Sequence, residues 1–209
     1  MSGEDDLAYM RRAIELAAQA LGSVWPNPAV GCVIASTSGV IVAEAATQGG
    51  GRPHAEETAL AQAGGAAQGA SAFVTLEPCA TRSAGTASCS ERLVAAGVRR
   101  VVFACGNPHD LSAGAGPERL RRAGVAVEQG LLQEEAAPLY RGFWRRIETG
   151  RPRVEAAEGP DGYDGLFEPA PDEDLAAALS RYGAAGYTLL WTPASGPIAQ
   201  ALAALGLLD

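Results

Sequence analysis

Pro53-His54-Ala55-Glu56-Glu57, then Thr75-Leu76-Glu77-Pro78-Cys79, and ten residues further on Cys89 mark the segment around which the rest of the chain is organised. One imidazole and two thiols make a three-ligand set that leaves a fourth zinc position open to water, as catalytic zinc sites do and structural ones do not. Glu56 falls two residues from His54, where a carboxylate reaches that open position without ligating the metal. His54 stands at the start of a helical run to Ala63, and Cys79 follows a strand from Ala72 to Leu76. Both ligands therefore come from strand-to-helix junctions, where an open α/β sheet forms its crevice.

The chemistry needs these residue types. Two thiolates offset the charge of Zn2+, and the metal still lowers the pKa of bound water from about 16 to near 7. A carboxylate beside it takes that proton and hands it on, which suits hydrolytic removal of an amino group from a cyclic amidine. Zinc deaminases carry His-x-Glu followed by Pro-Cys-x-x-Cys. Here Pro78-Cys79 matches, but nine residues separate the two cysteines. Cys89 thus has two readings, an ordinary buried thiol or the third ligand. Ser88 and Ser90 as capping candidates, with Glu91 in the first turn, place it at a helix start, where thiolate is favoured.

The 209 residues suit one domain, or one domain with an appendage. The net charge of −8 argues against a general polyanion binder, so no nucleic-acid partner is expected. All sixteen basic residues are arginine, which excludes Schiff-base lysine chemistry. No run is apolar enough to span a membrane, and the acidic start Met1-Ser2-Gly3-Glu4-Asp5-Asp6 lacks the basic region of a signal peptide. A cytoplasmic location with no membrane contact is expected. In that setting four cysteines read as metal binding rather than disulfides; Cys32 and Cys105 lie in apolar runs and are expected to be core thiols.

Along the chain, Asp5 to Leu21 predicts an amphipathic helix. Trp25-Pro26-Asn27-Pro28-Ala29-Val30-Gly31 is a two-proline turn leading into a hairpin over Ile34 and Val40–Ala46. Asn27 is read either as a turn residue or as an amide held at the pocket edge. Ser90–Ala96 predicts a helix, Arg100–Ala104 a strand, Pro117–Ala123 a helix, Val125–Val127 a strand, and 131–147 a helical stretch kinked at Pro138. This alternation predicts a three-layer α/β/α sandwich with a partly parallel sheet. His109, in the long loop from Gly106, is read as exposed or as a substrate contact. Residues 1–150 form the zinc-dependent domain, 151–174 an acidic Pro/Gly linker, and 175–209 a short α/β appendage too small to fold alone.

Pro26-Asn27-Pro28-Ala29-Val30-Gly31, Pro53-His54-Ala55-Glu56, Thr75-Leu76-Glu77-Pro78-Cys79, Ala95-Ala96-Gly97-Val98-Arg99-Arg100-Val101 and Arg141-Gly142-Phe143 resemble the deaminase domain of the bifunctional riboflavin-biosynthesis deaminase/reductase. The resemblance covers roughly residues 5–150. It implies the cytidine deaminase-like fold, zinc on His54, Cys79 and Cys89, Glu56 as proton shuttle, Asn27 against substrate, and a dimer or tetramer. The same family widens the spacing between its zinc cysteines. Between them it usually carries His-His-Gly-Arg-Thr-Pro-Pro, where this chain has Thr81-Arg82-Ser83-Ala84-Gly85-Thr86-Ala87-Ser88, and a family histidine upstream of the metal site is replaced by Thr47.

The expected function is hydrolytic deamination of a small aminopyrimidine, diaminohydroxyphosphoribosylaminopyrimidine or a relative, with Glu56 catalytic and Asn27, Arg82, Thr47 and His109 as substrate-binding candidates. Tyr187–Asp209 faintly resembles the last strand and helix of the family's reductase, possible remnant of that domain, and no reductase activity is expected. Two alternatives stay open: deamination of another free base or nucleoside, and a zinc-binding pseudoenzyme that serves as a binding partner.

Overall fold

A computed structural model describes residues 3–82, 85–107 and 113–208. Helix α1 (Gly3–Ala20) places Glu4, Asp5 and Asp6 at its positive end and buries Tyr9, Met10, Ala13, Ala17 and Ala20 as one stripe. Arg100 donates to both oxygens of Asp6 at 3.0 and 2.7 Å and also reaches Glu128. That pairing ties the start of α1 to two adjacent strands.

Strands β1 (Gly31–Ala35) and β2 (Ile41–Ala46) form the expected antiparallel hairpin. After helix α2 (Ala55–Ala63), β3 (Ser71–Leu76) pairs antiparallel with the other side of β1. Helix α3 (Cys89–Ala95) crosses over to β4 (Arg100–Cys105), and α4 (Ala115–Arg122) to β5 (Ala126–Gln129). Both crossovers give parallel pairs, as a connection carrying a helix requires. The sheet order is β2-β1-β3-β4-β5, a mixed sheet flanked by helices, as the alternation in the sequence predicts.

The inner strands β1 and β3 are buried at every residue, whereas the edge strand β2 alternates. Gly31 allows α1 to lie on the sheet: a Cβ there would overlap the carbonyl of Ala13. Its N–H donates to Thr75 Oγ1 at 3.0 Å, and the hydroxyl of the fully buried Tyr140 donates to the same oxygen at 2.6 Å. Between α5 (Gln133–Ala136) and α6 (Arg141–Thr149) the chain tightens into a 3-10 turn over Ala137–Tyr140. Pro138, which has no N–H to continue the α-helical ladder, sits at its start.

The segment 151–174, expected as linker, carries two strands instead. β6 (Arg153–Ala157) and β7 (Gly165–Leu166) both pair in parallel with β8 (Leu189–Pro193), and α7 (Leu175–Ala184) and α8 (Pro197–Ala204) complete the unit. The polar composition of 151–174 conceals Val154 and Phe167, which are fully buried with Ala178, Leu179, Leu190 and Leu202 in a second small core. One of its charges is held in a network: Glu155 accepts from Arg141 at 2.7 Å, from Arg153 at 2.8 Å and from the Tyr163 hydroxyl at 3.0 Å. No helix among the described residues is long and apolar enough to cross a membrane.

Candidate metal centre and its pocket

Three junctions deliver the ligand set. His54 caps α2 in an extended conformation, its carbonyl accepting the Thr58 N–H at 3.1 Å. Cys79 follows β3 through Glu77-Pro78. Cys89 opens α3, seated by a capping box in which Ser88 Oγ accepts from Glu91 N and Glu91 accepts from Ser88 N at 2.7 Å. His54 Nδ1 stands 3.9 Å from Cys79 Sγ and 3.4 Å from Cys89 Sγ, with all three ligand atoms within 4.8 Å of one another.

A tetrahedral zinc with nitrogen at about 2.0 Å and sulfur at about 2.3 Å separates its ligands by roughly 3.5–3.8 Å. The observed distances lie close to these, so the three residues fit a zinc ion. The Cys89 N–H already donates to Cys79 Sγ at 3.3 Å. Hydrogen bonding from Cys89 holds the Cys79 thiol well below its usual range. The same sharing, with burial, pushes Cys89 far up.

Glu56, in the first turn of α2, is only 3 % exposed. Burial raises its pKa, while His54, its own backbone N–H and the Cys89 thiol pull it back. It lines a cavity of about 150 Å³ together with His54, Cys79 and Asn27. Pro28, Val30, Leu76, Glu77, Asn107 and Phe143 complete the wall. This volume is well below the roughly 300–1,000 Å³ that encloses a whole drug-sized ligand; it suits one ring, with larger substituents outside.

The structure separates the other candidates. Asn27 lines the cavity, its amide without a hydrogen-bond partner among the described residues. Its other side is closed by Gly51, buried at φ +82°, where any Cβ would strike the Asn27 side chain. Thr47 is buried away from the wall; its hydroxyl accepts Val30 N–H at 3.0 Å and donates to the Pro28 carbonyl at 3.2 Å, anchoring the strand end behind Pro28. Arg82 is 5 % exposed at its side chain and pairs at 2.8 Å with Glu57, which also meets Arg92. Arg82 does not line the cavity. His109 lies outside the described residues.

Three contributors lie outside the candidate residues read from the sequence. Phe143 reaches the cavity from α6. Glu77 accepts N–H groups from Asn107 at 3.3 Å and Gly114 at 2.7 Å, which fixes the backbone of both residues. Arg119 of α4 donates to the Ala80 carbonyl at 2.6 Å, Ser88 Oγ at 3.0 Å and Ser90 Oγ at 2.9 Å. It thereby grips the chain next to both ligand cysteines.

Residues 3–105 match the cytidine and deoxycytidylate deaminase zinc-binding region. Over 148 residues the chain is 40 % identical to the diaminohydroxyphosphoribosylamino-pyrimidine deaminase of Buchnera aphidicola, covering 71 % of this chain and 99 % of that protein. The chain belongs to the diaminohydroxyphosphoribosylaminopyrimidine deaminase family. Other relatives within this deaminase family are longer. The riboflavin biosynthesis protein RibD of Escherichia coli is 46 % identical over 154 residues, 74 % of this chain but 41 % of its own length. A solved Acinetobacter baumannii RibD superposes with a TM-score of 0.68 at 43 % identity, over 82 % of this chain and 48 % of that one. The chain therefore spans less than half of the RibD proteins it matches. The His54, Cys79 and Cys89 cluster is positioned to hold a metal ion, and the matching family region is a zinc-binding one.

Proposed function

We propose that this chain is a zinc-dependent hydrolytic deaminase whose substrate is diaminohydroxyphosphoribosylaminopyrimidine or a close relative. One observation carries the reading: the buried carboxylate of Glu56 lines a ring-sized cavity with His54 and Cys79 of the three-residue ligand cluster and with the amide of Asn27. A purely structural zinc site has no use for a non-ligating buried carboxylate.

Zinc held by these three residues supplies a Lewis acid that makes water a competent nucleophile near neutral pH. Glu56 Oε takes one proton from the attacking water and delivers it to the ring nitrogen. The same carboxyl then takes the second proton from the hydroxyl now on the ring carbon and delivers it to the departing amine, so that water and the amino-substituted ring become the keto ring and ammonia. Asn27 offers donors and an acceptor to the ring substituents. Phe143, Leu76 and Val30 form the apolar side that excludes bulk water. Thr47 supports Asn27 through Pro28, and Arg82, held by Glu57, contributes positive charge behind the two thiolates.

Residues 1–150 are the catalytic unit in this proposal, working in the cytoplasm as a homo-oligomer. The small three-stranded unit that follows gives the chain no reductase activity; NADPH oxidation with the deaminated pyrimidine would overturn that part. The substrate is tested by ammonia release from a panel comprising the diaminopyrimidine ribosyl phosphate, its dephosphorylated form, cytosine, cytidine and guanine. Highest kcat/KM on the phosphorylated diaminopyrimidine is expected. Preference for cytidine or a free base would replace the proposed substrate.

A further inference from the structure

The C-terminal unit backs two walls of the cavity through one short segment. The Tyr187 ring stacks on Trp25 with centroids 4.2 Å apart and planes 19° apart. Trp25 lies inside the turn closed by the Asn27 N–H to the Val24 carbonyl at 3.1 Å, so the placement of its ring sets the direction from which Asn27 enters the cavity. The next residue, Thr188, underlies the second wall: a Cβ at Gly142 would come within 2.6 Å of the Thr188 carbonyl oxygen. Helix α6, which presents Phe143, therefore rests directly on the start of β8.

The segment is itself fixed from behind. Asp164 Oδ2 accepts the Thr188 N–H and hydroxyl, each at 2.7 Å, and the Leu189 N–H at 2.9 Å. Tyr182 meets Tyr187 edge-on, with centroids 5.2 Å apart, and packs in turn on the buried Phe167. Residues 187–189 thus transmit the rigidity of the second core to Asn27 on one side and Phe143 on the other. An appendage that merely filled surface would not need its aromatic contact at the turn that carries the cavity-lining Asn27.

We propose that the C-terminal unit is a buttress of the substrate cavity, and that Tyr187 is a positioning residue acting on Asn27 through Trp25. This rests on the reading of the cavity as the aminopyrimidine site. The role predicted is in substrate binding: Tyr187 touches neither the metal ligands nor Glu56.

The test compares full-length wild type with Tyr187→Ala, Tyr187→Phe and Trp25→Leu, by steady-state kinetics on the diaminopyrimidine phosphate, zinc content, and hydrogen exchange of residues 22–30. Losing an aromatic stack should raise KM about fivefold to tenfold in Tyr187→Ala and Trp25→Leu. The proposal expects kcat to change far less, zinc to be retained, and exchange to quicken at 22–30. Tyr187→Phe, which keeps the ring, should restore KM and protection. Unchanged KM and exchange, failure of Tyr187→Phe to rescue, or loss of zinc with activity in both disrupting variants would overturn the proposal. If wild type does not turn over the pyrimidine, the functional reading fails, and exchange alone then decides: quickening confined to 22–30 upholds the buttress, and no change rejects it.

Discussion

The backbone N–H of Cys89 points at the sulfur of Cys79, 3.3 Å away. That bond joins the end of the β3 loop to the first residue of α3 and sets the two sulfurs beside His54 before any metal arrives. It also supports the ligand reading of Cys89, which the widened spacing leaves open: its sulfur lies 3.4 Å from His54 Nδ1.

Cys89→Ala should therefore abolish stoichiometric zinc binding, whereas Cys32→Ala should retain about one zinc per chain. Metal analysis of the purified variants is the check. Equal zinc content in the two would remove Cys89 from the ligand set.

Arg119 grips Ala80, Ser88 and Ser90 without touching the metal site itself. Loss of such an outer support characteristically costs about 10–100-fold in metal affinity. Arg119→Ala should show that loss in a chelator competition titration while keeping the wild-type circular dichroism spectrum. Wild-type affinity would mean that the capping box alone holds the loop.

Thr75 Oγ1 is the shared acceptor for Gly31 N–H and the Tyr140 hydroxyl. Thr75→Val leaves two buried donors unpaired and should cost about 2–4 kcal/mol of unfolding free energy, against about 1 kcal/mol for Tyr140→Phe. Urea denaturation measures both, and the ranking is the point at issue.

Burial disfavours the charged form of Glu155, but hydrogen bonds from Arg141 and Arg153, and from Tyr163, outweigh it and bring its pKa down to about 2. A depressed carboxyl contributes stability above its unfolded pKa and loses it as pH falls through the folded value. From an unfolded pKa of about 4.3, this amounts to roughly 2–3 kcal/mol that disappears between about pH 4 and pH 2. Glu155→Gln should lower Tm at neutral pH and flatten that acid limb, with the two proteins converging near pH 2. Parallel Tm curves would exclude the linkage.

Much of the site is legible in the sequence because it is local. His54 and Glu56 share one helical turn, Cys79 follows its strand directly, and Ser88 and Glu91 show the capping pattern at Cys89. The roles of Phe143, Glu77 and Arg119 are not legible, because they depend on where α6, the backbone of Asn107 and Gly114, and α4 lie against the sheet. The fold of 1–150 follows from strands that alternate with helices. The second sheet is hidden in the sequence because β6 and the residues around β7 set the buried Val154 and Phe167 amid glycine, proline and acid. Arg82 shows the opposite limit: its residue type suits an anion, but the nearest carboxylate, Glu57, already holds it.

The most direct test of the central claim is the rate of ammonia release from the diaminopyrimidine ribosyl phosphate by zinc-loaded wild type and by Glu56→Gln, with zinc content measured on the same samples. Removing the proton carrier should reduce kcat by about 10²–10⁴-fold while zinc content stays equal. Turnover by Glu56→Gln at the wild-type rate, with zinc bound in both, would contradict the assignment of Glu56 and the mechanism built on it.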